Sequence, residues 1–270
     1  MATTKAPSKP TRTSKTKVTS RTNRTEGASG ISKITAANRI GGAQPSGRIN
    51  KTTPAGAPPL GLVAPAGPGT STVIATIGNV QVTQDADGRV HWTSGANIDA
   101  DGANGQNGNP FAYRYPTNDG LDDIRGSAGY PNGSWRDILV DDGSGKPLTD
   151  GSGNAYSRST YTWPGRSVAD RAVDATAVAY VVVNPHVRTN AKGIVIGCKA
   201  VLSYNGNSVD AVAADVSGGG QIGEISIAAA KALGIPSSPR TGGVDSGVDY
   251  SLWPGTPGVV NGETYLLERA

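Results

Sequence analysis

Two carboxylates in the C-terminal half, Asp215 and Glu224, are of the residue types that acid–base hydrolysis uses, provided that the fold brings them to one cleft. They stand nine residues apart within AVAADVSGGGQIGEISIAAAKALGI (211–235). The pattern predicts a strand that ends near Asp215, a glycine-rich loop over 217–223 and a helix that begins at Glu224. A loop that folds back brings both side chains to one cleft, where one protonates a glycosidic oxygen and the other acts as base or nucleophile. Each residue also has a purely structural interpretation, Asp215 as a turn residue and Glu224 as a first-turn helix acid.

The remaining inventory excludes several other catalytic classes. One cysteine, Cys198, and two histidines, His91 and His186, cannot supply a zinc site, and no intrachain disulfide is possible. Cys198 follows an apolar run and is interpreted as a core residue. The glycine run 218–220 lacks the lysine of a P-loop and the spacing of a dinucleotide fingerprint. Residue counts alone leave a Ser-His-Asp triad open, but no GxSxG sequence is present. We therefore expect neither a cofactor nor a metal ion.

The stretch NIDADG begins like a calcium-binding loop, with Asn97, Asp99 and Asp101 at alternate positions. A calcium loop of the EF-hand type needs a glutamate at its twelfth position, where this chain has Gly108. A turn tied by aspartate side chains is the simpler interpretation of this stretch.

The elements that must position the two carboxylates are predicted to be mostly strands. Only 223–235 has convincing helical periodicity, and Gly234 is its predicted stop. Residues 111–165 are interpreted as long surface loops over a small core. Many strands with one short helix predict a mainly β fold, a small closed β-barrel. The predicted strands lie in 72–94 (a hairpin around Asp87-Gly88), 177–187 (closed by Pro185), 193–217 (paired around Asn205-Gly206), 248–258 and 263–270.

The N-terminal part of the chain differs sharply in charge from the rest. Residues 1–51 hold eleven of the 25 Lys and Arg residues but only one acid, Glu26, of the 21 Asp and Glu residues. We interpret 1–52 as a disordered basic tail, 53–71 as a Pro/Gly/Ala-rich linker and 72–270 as the folded, acidic domain. The favoured interpretation of the tail is a solubilising segment. The alternative is an arm that holds an anionic partner, such as a nucleic acid, a wall polymer or a particle component.

Residues 193–235 resemble the chitosanases of glycoside hydrolase family 75, including bacterial and phage-borne relatives of the fungal enzymes. The resemblance extends more weakly over about 95–258 and does not include the tail. The features that carry it are Tyr204-Asn205-Gly206, Ala213-Ala214-Asp215, Ile222-Gly223-Glu224, Ser226-Ile227 and Ala232-Leu233-Gly234-Ile235, and more weakly Ile98 to Gly102, Val173-Asp174, Gly247 to Tyr250 and Trp253-Pro254-Gly255.

The resemblance implies a double-psi-like barrel that cleaves β-1,4-linked glucosamine polymer (chitosan) at internal bonds. It also implies that the reaction needs no cofactor and inverts the anomeric centre. It places the two essential acids on Asp215 and Glu224. In the simplest scheme Glu224 is the acid and Asp215 the base, but a helix N-terminus at Glu224 would favour its ionised form, so the exchanged roles stay open. The predicted substrate-binding residues are acids for the ammonium groups and aromatics for the sugar faces: Asp99, Asp101, Asp245, Trp135, Tyr250 and Trp253.

Two alternatives accompany this interpretation. The chain can instead hydrolyse peptidoglycan or another cell-wall glycan as part of a phage or contractile injection particle, or it can be a non-catalytic structural or binding module of such a particle. The sequence has no predicted membrane span, and Met1 to Ser20 lacks the apolar region of a secretory signal. If the target is extracellular, we expect the protein to be exported by a non-classical route or carried by a particle. If it is not exported, we expect a cytoplasmic location.

Overall fold

The computed structural model describes residues 70–268, so the predicted basic tail and almost all of the predicted linker lie outside the described residues. The described part is mainly β, with three short α-helices, none of which is long and apolar enough to span a membrane. The strands are β1 Thr72–Ile77, β2 Val80–Gln84, β3 Val90–Asp99, β4 Tyr113–Arg114, β5 Asn154–Ala155, β6 Tyr180–Val183, β7 Cys198–Tyr204, β8 Asn207–Val216, β9 Glu224–Ser226, β10 Val244–Val260 and β11 Glu263–Tyr265. The helices are α1 Trp135–Ile138, α2 Pro185–Asn190 and α3 Ile227–Leu233.

Six strands close into a barrel in the order β3, β9, β6, β8, β7 and β10, with β10 returning to pair with β3. The pairs β3–β9 and β6–β8 are parallel, and the other four pairs of the barrel are antiparallel. Strands β1 and β2 extend the sheet outside the barrel from β3, and β11 extends it from β10. The predicted small closed β-barrel is thus confirmed.

The turns follow the local sequence signals closely. Strands β7 and β8 form a hairpin through Asn205 and Gly206, which both have positive φ angles of 48° and 82°, the conformation that a tight two-residue hairpin turn requires. Strands β2 and β3 pair across the predicted Asp87-Gly88 turn. A further hairpin, β1–β2, turns at Gly78, so the segment 72–94 contains three strands rather than two.

The barrel interior is filled by aliphatic and aromatic side chains. Trp92 and Tyr250 face each other from β3 and β10 and stack at 4.9 Å between ring centroids. Leu202, Ile225 and Leu252 are fully buried, and each such side chain stabilises the fold by about 1.5–3 kcal/mol. Cys198 is fully buried at the start of β7, as expected of a core residue.

One helix prediction and one strand prediction need correction. The predicted helix over 223–235 is a strand followed by a shorter helix, because the Ser226 side chain accepts a hydrogen bond from the backbone N–H of Ala229 and so starts α3 only at Ile227. It ends at Gly234, which has a positive φ as predicted. The strand predicted over 177–187 is only β6, because Asn184 caps α2 and Pro185 opens that helix instead of merely ending the strand.

Candidate active site

Asp215 and Glu224 lie on two strands that flank a third. Asp215 near the end of β8 and Glu224 at the start of β9 both pair with Val182 of β6, one in parallel and one in antiparallel register. Paired positions on neighbouring strands direct their side chains to the same face. Two strand spacings separate the two Cα atoms by roughly 10 Å. The loop after β8 therefore folds back and brings both carboxylates to one side of the barrel wall.

A β-bulge sets the direction of Asp215. Val181 pairs with Ala213, yet the next residue, Val182, pairs with Asp215, so Ala214 is an extra residue in β8. With regular pairing Ala214 would face Val182, and Asp215 would lie on the opposite face, since side chains alternate along a strand. The bulge thus gives Asp215 the same face as Glu224.

A glycine fixes the start of β9. Gly223 has a φ of 91°, and its carbonyl accepts a hydrogen bond of 2.8 Å from the backbone N–H of Asn97. A Cβ atom at this position would collide with Ser94 Oγ and the carbonyl oxygen of Gly95. Glu224 therefore belongs to a strand and not to a helix N-terminus, which removes the helix dipole as an argument for its ionised form.

The loop between the two carboxylates is held by a buried amide. The side-chain Nδ2 of Asn184, which is fully buried, donates to the carbonyl oxygens of Gly219 and Gln221 at 3.1 Å and 2.6 Å. Ser217 Oγ also donates to the Gln221 carbonyl oxygen at 3.3 Å. These contacts determine how the chain returns from Asp215 to Glu224.

The NIDADG stretch adds two more carboxylates to the same place. Asp99 Oδ1 accepts a hydrogen bond of 2.8 Å from the backbone N–H of Asp101, the aspartate-tied turn expected from the sequence. The hydroxyl of Tyr180 donates to Asp99 Oδ2 at 2.9 Å, and the hydroxyl of Tyr113 donates to Asp101 Oδ1 at 2.6 Å. One carboxylate oxygen each from Asp99, Asp101 and Asp215 lie within 4.8 Å of one another. Such a group attracts a cation.

Burial raises the pKa values of all four acids, and repulsion between carboxylates adds to the rise at Asp99, Asp101 and Glu224. Burial, followed by the charge of Asp215 and then that of Asp122, raises the pKa of Glu224 from 4.5 to about 7. Burial and the neighbouring carboxylates hold the pKa values of Asp99 and Asp101 well above their usual range. The four groups therefore cannot all be ionised at neutral pH.

Hydrogen bonds distinguish Asp215 from Glu224. Burial raises the pKa of Asp215, but three donors to Oδ1 oppose this rise: Thr160 Oγ1 at 2.6 Å, the Val216 backbone N–H at 2.7 Å and the Thr160 backbone N–H at 3.1 Å. Within the described residues no group donates a hydrogen bond to the Glu224 carboxyl. Asp215 is thus equipped to carry the negative charge, and Glu224 to hold a proton near neutral pH.

Two adjoining cavities form a cleft around the four acids. Asp99, Asp101 and Glu224 line both cavities, and Asp215 lines only the second. The Arg240 cavity, about 370 Å³, is lined by Asn97, Asp99, Asp101, Tyr113, Asp122, Gln221, Glu224 and Arg240, among others. The Arg158 cavity, about 270 Å³, is lined by Asp99, Asp101, Asp137, Arg158, Thr160, Asp215 and Glu224, among others. The cleft therefore contains six carboxylates and two arginines, and both guanidinium groups donate to backbone carbonyl oxygens.

The other predicted substrate-binding residues are spread over the barrel. Asp245 is exposed and lines a groove next to the Arg240 cavity. Trp135 and Tyr250 are only 2% and 0% exposed, so neither can offer a ring face to a sugar. Trp135 packs edge-to-face on Tyr130 in the core, and Tyr250 lies inside the barrel. Trp253 is half-buried beneath Lys199, eight residues and roughly 27 Å along β10 from Asp245.

Several residues of the site were not predicted. Thr160 and Asp122 come from the region 111–165, which was interpreted as surface loops, and they reach the cleft only because that region packs beside the strands that carry Asp215 and Glu224. Tyr180 belongs to an apolar run that predicts a buried strand, and nothing in the run marks its hydroxyl as a partner of Asp99. Only a three-dimensional arrangement could identify these residues.

No model of a known protein family matches the chain, and a search among curated proteins found no match either.

Proposed function

We propose that the chain is an endo-acting glycoside hydrolase that cleaves β-1,4-linked glucosamine polymer, with Glu224 as general acid and Asp215 as general base. The observation that carries the proposal is the placement of these two carboxylates on either side of Val182, facing one cleft, where three hydrogen bonds stabilise ionised Asp215 and none from the described part of the chain stabilises ionised Glu224.

The reaction follows from the two protonation states. The protonated carboxyl of Glu224 donates its proton to the glycosidic oxygen as the bond to the anomeric carbon breaks. The Asp215 carboxylate takes a proton from a water molecule, whose oxygen forms the new bond to that carbon from the opposite face. We propose inversion of the anomeric centre, which requires the two carboxyl groups to lie about 6.5–9.5 Å apart so that this water molecule fits between them.

The charge of the cleft supports a cationic substrate. Six carboxyl groups line the cleft against two arginines. Although these acids are not all ionised at once, an ammonium group beside the clustered oxygens of Asp99, Asp101 and Asp215 would stabilise their ionised forms. Glucosamine units carry that ammonium group. The acetylated sugars of peptidoglycan do not, so the geometry favours chitosan over a wall glycan.

The test is hydrolysis by the wild-type chain and by Glu224→Gln and Asp215→Asn, with chitosan, chitin and peptidoglycan supplied separately and new reducing ends measured. We expect chitosan to be cleaved fastest by the wild type. General acid–base catalysis contributes about 10²- to 10⁴-fold, so each variant should lose at least about 100-fold. Glu263→Gln, an exposed glutamate on β11, is the matched control and should keep full activity.

Full activity in either cleft variant would refute the assignment of the pair. Preferential cleavage of peptidoglycan would support the alternative wall-glycan hydrolase. A wild-type chain inert on all three polymers would favour the non-catalytic module.

A further inference from the structure

A third depression continues the cleft on one side of Glu224. This Asp245 groove, about 330 Å³, is lined by the β1–β2 turn, by 94–97 of β3, by 220–223 and by Val244-Asp245 of β10. Asn97 and Gln221 line both this groove and the Arg240 cavity. The three depressions therefore follow one another, with the Arg158 cavity at one end and the Asp245 groove at the other.

The polar side chains of the Asp245 groove are largely free of partners within the described residues. Asn79 and Asp245 make no side-chain hydrogen bond there, and Asn97 and Gln221 contact only each other, at 3.5 Å. Amide and carboxylate groups without hydrogen-bond partners can bind the hydroxyl and ammonium groups of a ligand without first breaking strong hydrogen bonds within the protein.

A local irregularity of β10 produces this exposure of Asp245. The register of β10 against β3 passes from Val244–Ala96 to Val248–Ser94, so β10 contains more residues than its partner over this interval. The bulge projects Asp245 beyond the regular pairing. The backbone of Val244 and Asp245 approaches Gly95 so closely that a Cβ atom at Gly95 would collide with both of their carbonyl oxygens.

We propose that the Asp245 groove binds further glucosamine units of the same polymer, with Asp245 pairing with an ammonium group. This inference rests on the proposed function. It implies that the chain holds more sugar units on the Asp245 side of the scissile bond than on the Thr160 side, and that long oligomers are cleaved off-centre.

The test compares kcat/KM on fully deacetylated glucosamine oligomers of increasing length for the wild type, Asp245→Asn and Asp210→Asn. Asp210 is an exposed acid on β8 away from the groove, so its substitution removes the same charge. An exposed ion pair contributes little, so Asp245→Asn should lower kcat/KM about two- to fivefold on oligomers long enough to reach the groove. The shortest cleaved oligomer should be unaffected, and Asp210→Asn should match the wild type throughout.

Equal kcat/KM values for Asp245→Asn and Asp210→Asn at every length would overturn the inference and leave the proposed hydrolysis intact. A uniform loss at every length, including the shortest, would also overturn it, because the effect would then not depend on reaching the groove. If the wild type cleaves no glucosamine oligomer, the proposed function itself fails and this inference falls with it.

Discussion

Replacing Glu224 by glutamine should make the folded protein more stable at alkaline pH. The Glu224 carboxyl is partly exposed in the cleft but is surrounded by protein and by the charges of Asp215 and Asp122, and its pKa rises from 4.5 to about 7. The folded chain therefore binds this proton more tightly than the unfolded chain. The group imposes almost no penalty below pH 4.5, and its penalty on stability grows as the pH rises and is complete above pH 7.

The size of the effect follows from the pKa difference. Each pKa unit corresponds to about 1.4 kcal/mol, so ionised Glu224 costs the folded state about 3 kcal/mol. Between pH 5 and pH 8 the wild type should lose about 2 to 3 kcal/mol through this group, and Glu224→Gln should not. Glu224→Gln also removes a charge that raises the pKa of Asp99. Ionised Asp99 then costs the folded state less, which further increases the stability of the variant at alkaline pH.

The assay is urea unfolding of the wild type and Glu224→Gln at pH 5 and pH 8, with Glu263→Gln as the exposed control. The quantity of interest is the change in unfolding free energy between the two pH values, since any constant cost of the glutamine amide cancels from it. An identical pH dependence for the wild type and Glu224→Gln would show that Glu224 ionises as freely as a surface glutamate, and the assignment of Glu224 as a proton donor would be refuted.

Two further substitutions should move opposite limbs of the pH profile of kcat/KM on chitosan. Asp122→Asn removes a charge that raises the pKa of Glu224, so Glu224 should lose its proton earlier and the basic limb should move to lower pH. Asp122 is the smallest of three contributors to a rise of about 2.5, so the move should be less than about 0.8 pH units. Thr160→Val removes the hydroxyl bond that stabilises ionised Asp215, so the acidic limb should move to higher pH. A basic limb unmoved by Asp122→Asn, or an acidic limb unmoved by Thr160→Val, would assign that limb to another group.

The strands and their tight turns could be predicted because their signals are local. Asn205-Gly206 readily adopts two positive φ angles, and the apolar runs on either side of it can only be buried by pairing. The end of α3 at Gly234 follows from the same kind of local chemistry. The predicted start of that helix, at Glu224, was wrong by three residues, because the helix begins at Ile227. The backbone of Glu224 instead pairs with β3 and β6, two strands that are distant in sequence.

The predicted sugar platforms illustrate why the rest could not be predicted. A tryptophan in a glycine-rich region is equally compatible with a sugar-binding surface and with a core, and Trp135 belongs to the core, where Tyr130 packs edge-to-face against its ring. Asp99 and Asp101 do lie with Asp215, yet the tyrosine hydroxyls that hold them come from two other segments of the chain.

By itself, the sequence determined a mainly β domain with two acids separated by a flexible glycine-rich return, since periodicity, turn chemistry and residue type act over a few neighbouring residues. Only the tertiary structure decided that Asp215 and Glu224 share a face, because that depends on the extra residue Ala214 in β8 and on pairing through Val182. The burial that raises both pKa values, and the donors such as Thr160 that oppose this rise at Asp215, likewise exist only once distant segments have packed together.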